Sequence, residues 1–410
     1  MTGKKTLGVG LVSVGWMGKV HSRAFADLNS VYPNLPVKPR FVIAADPEPS
    51  RQEFAKDALG YEQATADYMD VLLNPDVDVV SICSPNFLHK EIALAAIAHG
   101  KHFWLEKPAG RSEAETAEVA AAAAKAGVVS TIGFNYRHAP AIEYAKALIA
   151  EGGLGRITNV RGIFFADYSS EPNGALSWRF KKELAGSGVL GDLMGHLVDL
   201  VQYVIGDIAE VTALTSTTYK QRPIQQMGKG THFDVIEGGP MGEVENEDYA
   251  GMLVRFADSS YGAEAVGTLE ASRSLVGPRA RYEIEIYGTE GSFIWDFERM
   301  NEMQITTARR GQELGYRRVM ASPGMGDFGA FQPGSGTSMG YDDLKVVEAR
   351  KFVEAILEGK NLNSNINDAL SSAAVLAAAE ESAASKQWVA LKGIAGTTSA
   401  KKTGTISQPK

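Results

Sequence analysis

Leu7-Gly8-Val9-Gly10-Leu11-Val12, Ser13-Val14-Gly15-Trp16-Met17-Gly18 and Lys19-Val20-His21-Ser22-Arg23-Ala24-Phe25-Ala26-Asp27-Leu28 follow one another and decide the fold. The first block is an apolar run of strand length, the second a glycine turn, and the third carries apolar residues at helical spacing. Strand before and helix after turn this spacing from an ordinary tight turn into a dinucleotide-binding signature. Gly15 lets the backbone approach a pyrophosphate, Gly18 lets the helix pack on the strand, and the helix N-terminus offers unpaired N–H groups to an anion. Ser13 stands where the usual pattern has its first glycine.

At 410 residues, 44% hydrophobic and 22% charged, the chain has material for one large or two ordinary globular domains. A net charge of -8 implies no basic face, which argues against nucleic acid as a partner. Cys83 is the only cysteine, so no internal disulfide is expected and a reducing compartment suits the chain. No apolar run reaches bilayer length, and the first strand starts a few residues from Met1. The expectation is a cytoplasmic protein with neither membrane partner nor signal peptide.

Beyond Leu28, a loop with three prolines from Asn29 to Pro39 leads into an apolar strand, Arg40 to Ala45, ending at Asp46. An acidic side chain there accepts hydrogen bonds from an adenosine ribose and repels the extra phosphate of NADP, which favours NAD. The ordinary alternative is a cap on the helix from Pro49 to Leu59. Strand patterns at Val77 to Cys83, Lys101 to Leu105 and Val128 to Gly133 then alternate with helix patterns at His89 to Ala98 and Ser112 to Ala126. That alternation predicts a parallel sheet with helices on both faces. Ligands of such sheets sit beyond the carboxyl ends of the strands, where Ser84-Pro85-Asn86 and Glu106-Lys107-Pro108 join the glycine turn. A lone lysine is ordinarily solvated surface, but Lys107, directly before a proline, has a restricted backbone and a fixed direction.

From Ala139 the pattern changes. A helix from Pro140 to Ile149 precedes strand-like segments at Arg156 to Phe165, Ala209 to Thr218, Glu247 to Phe256, Gly262 to Ala271, Tyr282 to Tyr287 and Gly291 to Phe297. They suggest a largely antiparallel sheet joined by turns such as Ala257 to Ser260 and Gly288 to Gly291. The loops Tyr219 to Glu245 and Gly311 to Gly340 are long, glycine-rich and aperiodic, and helices Tyr341 to Glu358 and Asn367 to Gln387 close the domain. Beyond Trp388 the chain has no acid and reads as a tail, suited to lying against a neighbouring subunit. The expected organisation is α/β: a Rossmann dinucleotide-binding domain over 1–139, an α/β domain with a large, mostly antiparallel open sheet over 140–388, and a tail over 389–410.

The stretch from Gly186 to Leu200, with Asp192, His196 and Asp199 at i, i+4 and i+7, puts those three on one face of a helix. One reading is a helix-start aspartate beside a satisfied core histidine. A metal site is a second, but the spacing matches no strong signature and no metal is expected. The third is catalytic. Oxidising a carbinol needs a hydride acceptor, a base for the hydroxyl proton and positive charge near the developing alkoxide. His196 suits the acid/base role, Lys107 the polarisation of the oxygen, and Asp192 the orientation of the hydroxyl or the imidazole. Two cations about one oxygen depress each other's pKa, so either His196 or Lys107 can be the base on this reading.

Ser13 to His21, Glu106-Lys107-Pro108 and Asp192-x-x-x-His196, in that order, resemble the family of glucose–fructose oxidoreductase and inositol dehydrogenase over the chain up to Trp388. Asn135-Tyr136-Arg137 with Pro140, the runs Pro172 to Phe180 and Gly186 to Asp192, and the helix from Gly340 to Ile356 are most similar to its branch of levoglucosan dehydrogenases and sugar 3-dehydrogenases. The resemblance implies NAD as cofactor, Lys107, Asp192 and His196 as the catalytic set, a cis Lys107-Pro108 bond, and homo-oligomers formed through the open sheet. It implies NAD contacts from Ser13, Gly15, Trp16, Met17, Gly18, Asp46, Ser84, Asn86, His89, Glu106, Lys107, Asn135, Trp178 and Arg179. Tyr136 and Trp178 would flank the sugar beside Lys107, Asp192 and His196, although Tyr136 suits the core equally well. Ala166 stands where a polar substrate contact is expected in this branch, which points to a different sugar or glycoside.

The expected function is NAD-dependent oxidation of a secondary ring hydroxyl, at C3, of a sugar, anhydrosugar, glycoside or cyclitol. Its rivals are an NAD-dependent glycosidase that oxidises C3 transiently, and a non-catalytic NAD-binding sensor.

Overall fold

Apolar strands without alternation need cover on both faces, and the first part of the chain provides it. The computed structural model describes residues 4–224, 234–257, 264–307 and 315–391. Strands β1 (Lys5–Val12), β2 (Val37–Ala45), β3 (Gln63–Thr65), β4 (Val79–Ile82), β5 (His102–Leu105) and β6 (Ser130–Ile132) form a parallel sheet in the order β3-β2-β1-β4-β5-β6. Helices α1 (Trp16–Val31), α2 (Pro49–Asp57), α3 (Tyr68–Leu73), α4 (Asn86–Ala98) and α5 (Glu113–Ala126) make the crossovers. Ile92, Ala96 and Val119 of α4 and α5 pack with Val80, Ile82 and Phe103, while Phe25 and Leu28 of α1 pack with Val9, Val79 and Trp104. The proline-rich loop is shorter than expected, because α1 runs on to Val31 and β2 already begins at Val37. Pro39 sits within β2, where it pairs with Leu7.

The second part begins with α6 (Pro140–Ala150) and β7 (Ile157–Ala166) and continues through α7 (Lys182–Ala185), a π-helical turn over Leu190–Met194 and α8 (Gly195–Val204). Strands β8 (Ile208–Ser216), β9 (Gln221–Pro223), β10 (Met241–Glu243), β11 (Tyr249–Phe256), β12 (Val266–Ser272), β13 (Ala280–Gly288), β14 (Ser292–Asp296), β15 (Glu302–Thr306) and β16 (Arg317–Met320) follow. Then come α9 (Phe328–Phe331), α10 (Tyr341–Glu358), α11 (Ile366–Ser385) and β17 (Val389–Ala390). Nine strands form one sheet in the order β16-β15-β14-β13-β7-β12-β11-β8-β17, with β9 and β10 as a separate hairpin. Neighbours are antiparallel except β7 and β12, which run parallel. One face packs on α6, α8 and α11 through residues such as Leu197, Val201 and Val375, and the other leaves Leu214 and Leu253 exposed.

Several expectations are corrected here. The two long loops carry structure, since β9 and β10 interrupt the first and β16 and α9 the second. The strand expected from Gly262 starts at Val266, and of the turn Ala257 to Ser260 only Ala257 is described. The tail begins later than 389, because Val389 and Ala390 pair with Val211 and Glu210 at the sheet edge; residues 392–410 lie outside the described residues. Lys182–Val204 has the length and mean hydropathy, 1.3, of a membrane-crossing helix, which the reading of apolar runs missed, but 78% of that window is buried in the domain core. The boundary at 139 does not separate the packing either: Val346, Phe352 and Val353 of α10 return to the core against β1 and α1.

Candidate active site

At the end of β1 Ser13 takes a φ of 75°, the left-handed conformation that glycine adopts without strain. The serine therefore keeps the backbone of the glycine it replaces. A Cβ on Gly18 would lie 2.1 Å from the Ser13 carbonyl oxygen, so packing of the turn on α1 requires glycine there. A Cβ on Gly15 would meet only Ser13 Oγ, at 3.8 Å. Gly15 is the N-cap of α1, no side chain caps that helix, and its first turn holds no acid. The missing side chain thus opens space over unpaired N–H groups, a cradle for an anion. Asp46 is buried at the end of β2, accepting from Val14 N at 2.8 Å and Glu48 N at 3.0 Å, with exposed Arg51 at 3.6 Å. It does not cap α2, whose N-cap is Glu48 without a side-chain cap bond, and the carboxylate still has lone pairs to spare.

Further along the rim, Ser84 Oγ and both polar atoms of the Asn135 side chain are buried without a hydrogen-bond partner. Buried amides rarely go unpaired, so these atoms are suited to a ligand's polar groups. Together with the Gly15 cradle they fit a bound dinucleotide. Asn86 Nδ2 reaches across to Ala185 O at 3.2 Å, and Trp178, with Arg179 over its ring at 4.5 Å, lies edge-on to Phe87. These contacts bring the second domain over the rim. Two expected cofactor contacts have inward-turned side chains. Both nitrogens of His89 lie 2.7 Å from backbone carbonyls, those of Pro108 and Ser84, so this imidazole ties two rim loops together. Glu106 Oε1 accepts from Lys345 Nζ at 2.6 Å and lies 2.9 Å from His21 Nε2. It is a buried anchor between α1 and α10 that burial is needed to seal and Lys345 to neutralise.

Lys107 precedes a cis peptide bond to Pro108. Its Nζ donates to Asp192 Oδ1 and to Asp192 O, each at 2.8 Å, joining the two domains. Tyr168 OH donates to Asp192 Oδ2 at 2.5 Å. Burial by itself would push the Asp192 carboxyl up, but Lys107, Arg179 and the hydrogen bonds from Lys107 and Tyr168 hold it well below the usual range. His196 stands four residues on, between the rings of Tyr136 at 4.9 Å, Phe134 at 5.8 Å and Phe164 at 6.1 Å. Burial and the Lys107 charge hold its pKa well below 6.5, so the imidazole is neutral. Among the described residues no protein group hydrogen-bonds its ring. A neutral imidazole with a free nitrogen beside an ammonium can accept a proton from a hydroxyl that the ammonium also touches.

Asp199 leaves this group. It is buried in an ion pair with Arg137, whose other neighbour is Asp368 at 3.4 Å. Burial pushes the Asp199 carboxyl up to about 6. Asp192 lies in a π turn while His196 and Asp199 lie on α8, and buried Arg137 engages the Asp199 carboxylate away from Lys107. That turn is held by Glu247 Oε1, which accepts from Gly188 N at 2.8 Å and Leu190 N at 2.9 Å. Tyr168, Glu247 and Lys345 were not among the residues singled out from sequence. Each acts across a sequence separation that leaves no local pattern; only the Gly188-x-x-Gly191 spacing hinted at an irregular turn.

Residues 7–134 match the family described as oxidoreductase family, NAD-binding Rossmann fold, and residues 142–294 the GFO/IDH/MocA C-terminal domain. Levoglucosan dehydrogenase of Pseudarthrobacter phenanthrenivorans is 37% identical over 387 residues, covering 94% of this chain and 98% of that one. A solved levoglucosan dehydrogenase in complex with NADH and levoglucosan superposes with a TM-score of 0.88 at 35% identity, covering 95% of this chain and 100% of that one. An NAD-binding oxidoreductase from Klebsiella pneumoniae does so with a TM-score of 0.87 at 36% identity and the same coverage.

Proposed function

The chain belongs to the GFO/IDH/MocA family of NAD-binding oxidoreductases, and from that premise we propose that it oxidises a secondary ring hydroxyl, at C3, of a sugar, anhydrosugar, glycoside or cyclitol to a ketone. The observation that carries the reading is the Lys107–Asp192 pair at 2.8 Å, with a neutral imidazole four residues farther on. NAD, when bound, would supply the acceptor for the hydride of the carbinol carbon. His196 takes the hydroxyl proton on a ring nitrogen. The Lys107 ammonium donates to the same oxygen as it gains negative charge, and Asp192, held by Tyr168, keeps that ammonium in place and accepts from a neighbouring sugar hydroxyl. Trp178 offers a ring face to the C–H patches of the sugar, whereas Tyr136 lies in the core, edge-on to Phe164, Tyr282 and Phe297.

For the cofactor, the turn from Ser13 through Gly15, Trp16, Met17 and Gly18 would hold the pyrophosphate, and the spare lone pairs of Asp46 would take a ribose hydroxyl. Ser84, Asn86 and Asn135 supply polar contacts, while Trp178 and Arg179 close over the rim. Residues 1–139 and 140–388 serve as cofactor and substrate domains, with α10 shared between them. The solved levoglucosan dehydrogenase complex with NADH and levoglucosan supports a sugar substrate. We place the protein in the cytoplasm, as a homo-oligomer assembled through the exposed sheet face, with neither nucleic acid nor membrane as partner. Incubation with NAD and a panel of sugars, glycosides and cyclitols should build up reduced cofactor, and Lys107→Ala and His196→Ala should each abolish it. Turnover surviving in the double variant refutes the site assignment.

A further inference from the structure

Beside the Lys107-Pro108 bond the two domains enclose a cavity of about 420 Å³, a size typical of small-molecule sites. Its walls are the loop from Lys107 to Ser112, the start of α5, α7, the π turn and one face of α11. Asp192, His196, Asp46 and the glycine turn do not line it, and the Lys107 ammonium is already committed to Asp192. The space is thus distinct from the sugar and cofactor sites. Gly195 shows that it is kept open. Its dihedrals are helical (φ -56°, ψ -41°), and a Cβ there would meet nothing closer than Leu190 O and Leu376 Cδ1, both at 3.7 Å. Glycine within a helix is destabilising relative to alanine, so packing alone favours a side chain at this position. On the facing wall Ala369, Ala373 and Ala377 recur every fourth residue of α11. The polar groups around the space are engaged: Ser187 Oγ accepts from Gly191 N at 2.9 Å, Thr116 Oγ1 donates to Ser112 O at 2.9 Å, and Arg111 pairs with Glu115 at 2.6 Å. Ser372 is the exception, 2% exposed, with its Oγ buried and without a hydrogen-bond partner among the described residues. Exposed Glu113, Glu183 and Glu380, with Lys182, stand at the mouth.

We propose that this cavity is an effector site for a small uncharged molecule, largely hydrocarbon and of one or two rings, whose hydroxyl pairs with Ser372. Contact with Pro108, Phe134 and Leu376 supplies the affinity, and the excess of acid at the mouth disfavours anions. Pro108 follows Lys107 and Gly191 precedes Asp192, so the ligand bears on both partners of the Lys107–Asp192 contact. Phe134, which lines the cavity, is edge-on to His196 at 5.8 Å. The effect on turnover rests on the dehydrogenase reading above; the binding does not. A ligand that favours one arrangement of these groups changes the affinity for sugar.

The test is calorimetric titration of the full chain, saturated with NADH, with 1-naphthol and with 1-naphthoate. 1-Naphthol should fill one saturable site, and the carboxylate should bind at least about tenfold more weakly. Ser372→Ala, which keeps the shape of the wall, should weaken 1-naphthol by about twofold to tenfold, the worth of one neutral hydrogen bond. Ala373→Trp, which fills the space, should abolish binding, while both variants keep the wild-type kcat/KM for sugar when no 1-naphthol is present. Saturating 1-naphthol should shift the KM for sugar by about fivefold or more in the wild type and leave Ala373→Trp unaffected. Absence of saturable binding, binding that is unchanged in Ala373→Trp or Ser372→Ala, or equal binding of the carboxylate overturns the site. An unmoved KM in the wild type, or a shift that survives in Ala373→Trp, overturns its role as an effector site. If no sugar in the panel is turned over, the dehydrogenase reading fails and the titrations still decide the cavity.

Discussion

Replacing Asp192 with asparagine tests the contact on which the site is built. Asp192 Oδ1 and Oδ2 accept from Lys107 Nζ and Tyr168 OH, and the Lys107 and Asp192 side chains are 15% and 24% exposed. Unit charges 2.8 Å apart attract by about 6 kcal/mol at an effective dielectric of 20. Desolvation of both ions cancels most of that, which leaves the net worth of a charge-assisted hydrogen bond, about 1.5–3 kcal/mol. In Asp192→Asn the amide oxygen can serve one donor while the NH2 group confronts the other. Lys107 retains the Asp192 carbonyl, so the fold should survive with stability lowered by about 2 kcal/mol in chemical denaturation. The ammonium is then no longer fixed against the substrate oxygen, and kcat/KM for sugar oxidation should fall by about 100-fold. Stopped-flow measurement of reduced-cofactor formation, paired with denaturation curves, separates the two effects. A variant keeping kcat/KM within about threefold of wild type refutes the argument that Asp192 positions Lys107.

Gly15→Ala should fold with unchanged stability, because its Cβ meets only Ser13 Oγ at 3.8 Å, yet bind NAD more weakly by calorimetry; wild-type affinity would show that nothing approaches this backbone. Ser13→Gly should raise stability by about 0.5–1 kcal/mol by relieving a positive φ, net of the entropy that glycine loses on folding, as read from the denaturation midpoint. Lys345→Met strips the cation from buried Glu106 and from Glu348, whose carboxyl burial pushes up to about 7; a loss of about 3–5 kcal/mol is expected, and a smaller one would mean that both carboxyls take up protons. For His196, burial and Lys107 depress the pKa, so the acid limb of kcat/KM should fall below 6.5 rather than at it. The unfolded chain binds that proton first, so this histidine's contribution to stability declines as pH falls below 6.5; a limb at or above 6.5 would rule out His196 as the base.

The parallel sheet, the glycine turn and the placing of Lys107 at the rim were legible in the sequence because each is written in consecutive residues: apolar runs, punctuation by glycine, and helical spacing. The resemblance of Ser13 to His21, Glu106-Lys107-Pro108 and Asp192-x-x-x-His196 to one family named Lys107, Asp192 and His196 as candidates in the same way. Asp199 shows the limit. Its carboxylate pairs with buried Arg137, 62 residues away along the chain, a partner that helical spacing does not name. Strand order in the nine-stranded sheet, the parallel pairing of β7 with β12, the return of α10 onto the first domain and the meeting of Tyr168, Asp192 and Lys107 came only with the tertiary structure. The reason is one of range. Backbone dihedrals and amphipathic period are set by neighbours, so they leave a trace in a short window of sequence. The partner of a buried lysine or a sheet edge is chosen by packing among segments tens to hundreds of residues apart, where many pairings satisfy the same local pattern and only the folded core selects one.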